Sequence, residues 1–244
     1  MPSRHGRRAL VTRPRAEAAA LAEALDRRGI EALIEPLLDI YYRDAPPPDL
    51  AGAQAVLCTS ANGVRALARL SRERGIALFA VGEATAARAR EAGFAHVESA
   101  GGSVDDLARM VRERLRPDGG RLLHVAGSDV AGDLAGALRD AGFAVERTVL
   151  YEARPVAGLS ASTVAALRGG LVDLALFFSP RTAAVFVRLA VSEALLGVTA
   201  VSISAAADHS LGALVFRRRL VAEKPDQNGL LAVLDQLLAK ERAR

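Results

Sequence analysis

The sequence is 244 residues long, 25% charged and 51% hydrophobic, ordinary values for a globular protein, although much of the apolar count is alanine. A formal charge of +4, supplied almost wholly by arginine because Lys224 and Lys240 are the only lysines, suits a small polyanionic partner. With 4% aromatics and no arginine run longer than Arg217-Arg218-Arg219, a nucleic-acid surface is not expected; Cys58 alone permits neither an internal disulfide nor a thiolate metal centre.

In chain order, the basic start (Arg4, Arg7, Arg8) leads into Val11-Thr12-Arg13-Pro14 instead of an apolar stretch, so no secretory signal is read and a cytoplasmic protein is expected. Short apolar runs then alternate with helical sequence. Ala9 to Thr12, Ala55 to Cys58, Leu78 to Val81, Leu122 to Val125, Leu174 to Phe178 and Ala200 to Ile203 read as strands, each followed by a helix. The first helix spans Pro14 to Arg28, with Leu21 and Leu25 on one face and Gly29 as its stop. The longest uncharged stretch, Ala194 to Ala207, is shorter than the roughly 18 residues of a membrane span, so no membrane association is expected.

The first unit returns later in the chain. Leu10 and Leu123, Leu21 and Leu134, Leu25 and Leu138, and Gly29 and Gly142 all stand 113 residues apart. Val56 to Ser60 matches Ala175 to Ser179 at an offset of 119, and Val81-Gly82 matches Ile203-Ser204 at 122. Growing offsets describe a duplicated chain with small loop insertions. Between the units lie two β-rich segments, Pro36 to Tyr42 and Thr148 to Arg154, each ending near prolines. Paired as a two-stranded antiparallel ladder, they would be the only crossings between two similar doubly wound α/β domains with parallel sheets. One domain would combine residues 1–35 with 157–244, the other would span 46–146, and the linkers would be 36–45 and 147–156. Ligands in such sheets bind beyond the carboxyl ends of the strands, which points to a cleft between the domains.

Strand-to-helix junctions carry the candidate chemistry. Thr59-Ser60 and Ser179-Pro180 put hydroxyls where helices begin; they serve as N-caps, as donors to an anion at the helix terminus, or as both. Gly82-Glu83-Ala84-Thr85 turns directly from strand into helix, with a glycine permitting close approach and a further hydroxyl. Arg13 follows the first strand, where it either grips a carboxylate bidentately or is simply solvated. Tyr151 is either a good β residue or a functional one beside a hinge. His5, His96, His124 and His209 are scattered, and His124 reads as a core or edge residue and not a base. Phosphate-loop, dinucleotide-binding, nucleophile-elbow and zinc-protease motifs are absent.

Taken together, Leu10-Val11-Thr12-Arg13-Pro14, Pro36-Leu37-Leu38, Thr59-Ser60-Ala61-Asn62-Gly63-Val64, Val81 to Ala86, Leu150-Tyr151-Glu152 and Phe177-Phe178-Ser179-Pro180 resemble the uroporphyrinogen-III synthase family over essentially the whole chain. The resemblance implies two α/β domains on a two-stranded ladder. It further implies a cofactor-independent, metal-free lyase of haem, sirohaem and cobalamin precursor synthesis that cyclises hydroxymethylbilane with inversion of the last pyrrole ring. Its chemistry loses the substrate hydroxyl to give an azafulvene, which the last ring attacks at its substituted carbon to form a spiro intermediate.

By resemblance, Tyr151 is the catalytic residue that assists departure of the hydroxyl. Arg13, Thr59, Ser60, Gly82, Thr85, Gly127, Ser128, Ser179 and Ser204 bind the substrate's acetate and propionate groups. Two departures stand out. Ala126 precedes Gly127-Ser128 where the family often has arginine, so a carboxylate contact is lost or comes from another arginine. Ser204-Ala205-Ala206-Ala207-Asp208 lacks a further hydroxyl, so binding there leans on Ser204 and backbone. The substrate is the one partner expected of a monomeric protein; the alternative is a non-catalytic hinged binding module for an anionic metabolite.

Overall fold

The computed structural model describes residues 6–129, 132–190 and 192–242; Arg4 and His5 of the basic start lie outside them. The chain divides into two compact units, one formed by Met1–Asp39 with Pro155–Arg244 and the other by Ile40–Arg154.

The first unit opens with β1 (Arg7–Val11), α1 (Arg15–Asp26) and β2 (Ile30–Ile34), and the chain leaves it along β3 (Leu38–Tyr42). The second unit runs through β4 (Ala53–Cys58), α2 (Ala61–Leu70), β5 (Leu78–Ala80), α3 (Glu83–Glu91), β6 (Val97–Ser99), α4 (Val104–Arg114), β7 (Arg121–Gly127) and α5 (Leu134–Asp140). The chain returns on β8 (Val145–Pro155), and the first unit is completed by α6 (Ala161–Arg168), β9 (Leu174–Phe177), α7 (Pro180–Leu189), β10 (Thr199–Ser202), α8 (Ala205–His209), β11 (Arg218–Val221) and α9 (Gln227–Arg242).

The first unit's sheet has the order β2-β1-β9-β10-β11, all parallel. The second orders β8-β7-β4-β5-β6, again parallel, with β3 added outside β8. Matching β1 with β7, β2 with β8, β9 with β4, β10 with β5 and β11 with β6 makes the two orders identical. The duplicated half-units therefore build one doubly wound topology twice, the second time circularly permuted. In the first unit the chain-order reading is 2-1-3-4-5, and its order reverses between β1 and β9; the equivalent place in the second unit lies between β7 and β4.

The repeated residues do matching work. Leu21 and Leu25 on α1, and Leu134 and Leu138 on α5, are buried at most to 1% exposure. Gly29 and Gly142 close those helix ends at φ of 69° and 87°, a backbone region where a side chain is strained. Because helices cover both faces of a parallel sheet, its central strands are continuous apolar runs. In β4, Val56 and Cys58 join a core with Leu123 and Val125, while Ala55 and Leu57 pack on the opposite face with Leu122 and Phe79. In the first unit, Ala9, Val11, Leu174 and Val201 meet Leu21, Leu25, Leu230 and Leu234. Phe177 alternates to the other face, with its ring centroid 5.1 Å from that of Phe186.

β3 and β8 are antiparallel. The Arg43 amide donates to the Leu150 carbonyl at 2.9 Å and the Val156 amide to the Leu37 carbonyl at 3.2 Å, a pairing whose register runs in opposite directions along the two strands. The first part of β8 continues the parallel sheet through Val145 to Tyr151, so this ladder grows out of the second unit's sheet edge.

Candidate active site

The candidate residues lie at or just beyond the carboxyl ends of strands, the edge where open α/β sheets bind ligands, except Tyr151, which lies within β8 opposite the last residue of β7. Arg13, Ser179 and Ser204 belong to the first unit; Thr59, Ser60, Gly82, Thr85, Gly127, Ser128 and Tyr151 belong to the second.

In the first unit Ser179 is the extended residue before α7, with Pro180 at the first helical position. Its Oγ accepts from the Thr182 amide at 3.1 Å and lies 3.0 Å from the Thr182 hydroxyl. Ser204 caps α8 in the same way, accepting from the Ala207 amide at 3.3 Å. α8 is only 5 residues long, so the dipole at its start is small.

Arg13 is held inside its own unit. One terminal nitrogen donates to Gln227 Oε1 at 2.9 Å and the other to Glu17 Oε2 at 3.1 Å, while the guanidinium carbon lies 4.5 Å from the centre of the Phe178 ring. Its Nε is buried without a partner. A substrate carboxylate approaching the terminal nitrogens would share their N–H groups with Gln227 and Glu17 or compete with them.

In the second unit Ser60 caps α2 by accepting from the Asn62 amide at 3.1 Å, and Asn62 Oδ1 in turn accepts from Arg65 at 2.8 Å. A Cβ on Gly63 would stand 3.1 Å from the Val125 carbonyl oxygen, so glycine lets the first turn of α2 settle against β7. Gly82 begins α3 with no side-chain cap, and a Cβ there would stand 3.2 Å from Gly102 Cα. Backbone amides at that terminus are available to an anion without displacing a serine. Thr85, on the first turn of α3, is buried.

Gly127, Ser128 and Tyr151 meet where β7 ends. The register shifts between Ala126 and Gly127, so that Gly127 pairs with Tyr151 and Leu150 is the additional residue of β8. A Cβ on Gly127 would stand 2.9 Å from two carbons of the Tyr151 ring and 3.2 Å from its oxygen. The Ser128 amide donates to the Tyr151 carbonyl at 3.0 Å, and Ser128 Oγ donates to Asp129 at 3.2 Å.

Two residues outside the expected set join this edge. Arg147, paired with His124 across β7 and β8, donates from one terminal nitrogen to the carbonyls of Gly127 at 2.7 Å and Ser128 at 2.9 Å. It brings an arginine to the segment that Ala126 leaves uncharged. His124 is 2% exposed, with Nε2 3.5 Å from Thr59 Oγ1. Burial, reinforced by the nearby Arg147 charge, pushes its pKa down to about 4, so the ring is neutral at pH 7. Burial likewise pushes the Cys58 thiol up to about 12, which leaves it unreactive. Among the described residues no group of three His, Cys, Asp or Glu side chains is placed to hold a metal ion, and no helix is long and apolar enough to cross a membrane.

The family model described as uroporphyrinogen-III synthase HemD matches residues 19–232. No curated protein matches the chain. Among solved structures, uroporphyrinogen-III synthetase from Helicobacter pylori superposes with a TM-score of 0.67 at 19% identity, covering 95% of this chain and 99% of that one. A mutant uroporphyrinogen III synthase from the extremely thermophilic bacterium Thermus thermophilus gives 0.53 at 19% identity, covering 96% and 99%. At these identities the two structures speak for the fold.

Proposed function

Because the chain belongs to the uroporphyrinogen-III synthase family, whose members are enzymes of tetrapyrrole biosynthesis, we propose that it acts as a hydro-lyase on hydroxymethylbilane, with Tyr151 as the group that assists loss of the hydroxyl. The family match over residues 19–232 carries this reading.

The reaction is a dehydration with no change of oxidation state. The substrate hydroxyl departs with a proton as water, leaving an azafulvene. The substituted carbon of the last pyrrole ring attacks it, and the spiro intermediate opens and recloses with that ring inverted. Free hydroxymethylbilane also closes without inversion, so the protein's task is to favour one geometry, which is chiefly a matter of positioning.

Tyr151 suits the first step because a phenol hydroxyl can donate a hydrogen bond to a departing oxygen. Its ring packs closely against Gly127, where a Cβ would stand 2.9 Å from two ring carbons, and this contact limits where the phenol can lie. Substrate carboxylates bind at the starts of α2, α3 and α7, through Ser60, the backbone at Gly82 and Ser179, with Thr59, Thr85, Ser128, Ser204 and Arg13 supplying further donors. A water-soluble, polyanionic substrate suits a reaction in the cytoplasm.

Incubation with freshly generated hydroxymethylbilane, followed by oxidation and separation of the isomers, tests the reading. Type III product in excess of a protein-free control supports it; type I alone removes it.

A further inference from the structure

Within β7 a histidine interrupts Leu122, Leu123, Val125 and Ala126, all of them buried. Its neighbours in register are Leu57 on β4 and Arg147 on β8. An imidazole in such a place costs free energy, because it loses water and regains only part of its hydrogen bonding. A leucine there would cost nothing of the kind, so packing does not account for the residue.

The hydrogen bonding is informative. Nδ1 is buried with no partner, and Nε2 has one neighbour, the Thr59 hydroxyl oxygen at 3.5 Å. A neutral imidazole carries its proton on one nitrogen only. An orphaned buried N–H is costlier than an orphaned acceptor, which selects the tautomer with the proton on Nε2. In that tautomer the 3.5 Å contact has Nε2 donating to Thr59 Oγ1, so the threonine oxygen accepts and its own proton is left for a group outside.

We propose that His124 is a positioning residue for substrate binding: by donating from Nε2 to Thr59 Oγ1 it turns the Thr59 hydroxyl into a directed donor toward a substrate carboxylate. The carboxylate part of this assignment rests on the synthase reading above, whereas the His124–Thr59 contact itself does not. Thr59 is half-buried at the end of β4, beside the capped start of α2, so its free proton lies where an anion would sit. A hydroxyl that accepts from an imidazole donates more strongly itself, because chained hydrogen bonds polarise one another. Arg147, bound to the Gly127 and Ser128 carbonyls beside it, helps keep the ring neutral.

The test compares His124→Leu, His124→Gln, Thr59→Val and the double variant Thr59→Val/His124→Leu with hydroxymethylbilane as substrate. Loss of one neutral hydrogen bond of about 1 kcal/mol corresponds to a change of about five-fold. His124→Leu is expected to raise KM about five-fold with kcat within two-fold, without lowering the unfolding temperature. His124→Gln, whose amide nitrogen can occupy the Nε2 position, is expected to restore most of the loss, and the double variant to be no worse than Thr59→Val. An unchanged KM in His124→Leu, no rescue by glutamine, or multiplicative effects in the double variant would overturn the assignment. The tautomer is read independently from imidazole nitrogen-15 shifts at pH 7, which should show Nε2 protonated and should move in Thr59→Val. A protonated Nδ1 would make Nε2 the acceptor from Thr59 and overturns the assignment whatever the activity. Wild-type protein giving only type I product would instead defeat the synthase reading and the carboxylate role resting on it, with the nitrogen shifts still deciding the contact.

Discussion

The ring of Tyr151 and the α-carbon of Gly127 are in such close approach that a methyl group on the glycine would stand 2.9 Å from two ring carbons. The bulge between Ala126 and Gly127 creates this relationship by bringing Tyr151 opposite the last residue of β7. Glycine at 127 is thus required by the ring and not by its own backbone, which is not among the positive-φ glycines.

Gly127→Ala is accordingly expected to displace the Tyr151 ring. Overpacking of this kind costs about 1–3 kcal/mol. Turnover should fall at least ten-fold, since the phenol is redirected, while circular dichroism at 25 °C remains that of a folded protein. Retained turnover would show that the direction of the phenol is unimportant.

Tyr151→Phe keeps the ring on Gly127 and removes only the hydroxyl. Proton donation by a positioned side chain contributes typically 10²–10⁴-fold, so a fall in kcat of about 100-fold is expected, with a small change in KM and in unfolding temperature. Unchanged kcat would take Tyr151 out of the mechanism.

Arg13 poses a different question, because its terminal nitrogens already serve Gln227 and Glu17. If it exchanges these partners for a substrate carboxylate, Arg13→Ala raises KM and Gln227→Ala, which releases one nitrogen, leaves KM unchanged or lowers it. An increased KM in Gln227→Ala would mean that the arginine acts by holding α9 in place.

His124 gives stability a pH dependence whose sign follows from its lowered pKa. Above an ordinary value of 6.5 the ring is neutral in both folded and unfolded chains and contributes nothing. As the pH falls toward about 4, the unfolded chain takes up the proton first, so stability declines by up to about 3 kcal/mol over that window. Urea unfolding at pH 7.5 and pH 4.5 should show a larger loss for wild type than for His124→Leu; equal losses would contradict the buried neutral ring.

Much of the fold was legible because the central strands of a covered parallel sheet are apolar throughout. Ala55 to Cys58 and Leu174 to Phe178 announce themselves, and the spacing of Leu21, Leu25 and Gly29 against Leu134, Leu138 and Gly142 exposed the duplication. Two of the edge strands, β6 and β11, were not legible. β6 is Val-Glu-Ser and β11 is Arg-Arg-Leu-Val, half-buried segments whose pairing partners, and not their own residues, make them strands. At the site, the serines at strand ends could be read as caps, and Ser60, Ser179 and Ser204 do cap α2, α7 and α8. The partnership of Arg13 with Gln227 spans 214 residues, and the reach of Arg147 to Gly127 depends on strand adjacency; neither leaves a local pattern. His124 was read as a strand residue, and only the orphaned Nδ1 and the Thr59 oxygen beside Nε2 set it apart from its leucine neighbours.

The most direct test is the isomer ratio of the cyclised product as protein concentration is raised over freshly generated hydroxymethylbilane. Type III is expected to rise with protein until it is the predominant isomer, and Tyr151→Phe at equal concentration to move the ratio back toward type I. A ratio that stays at the protein-free value at every concentration would contradict the synthase reading.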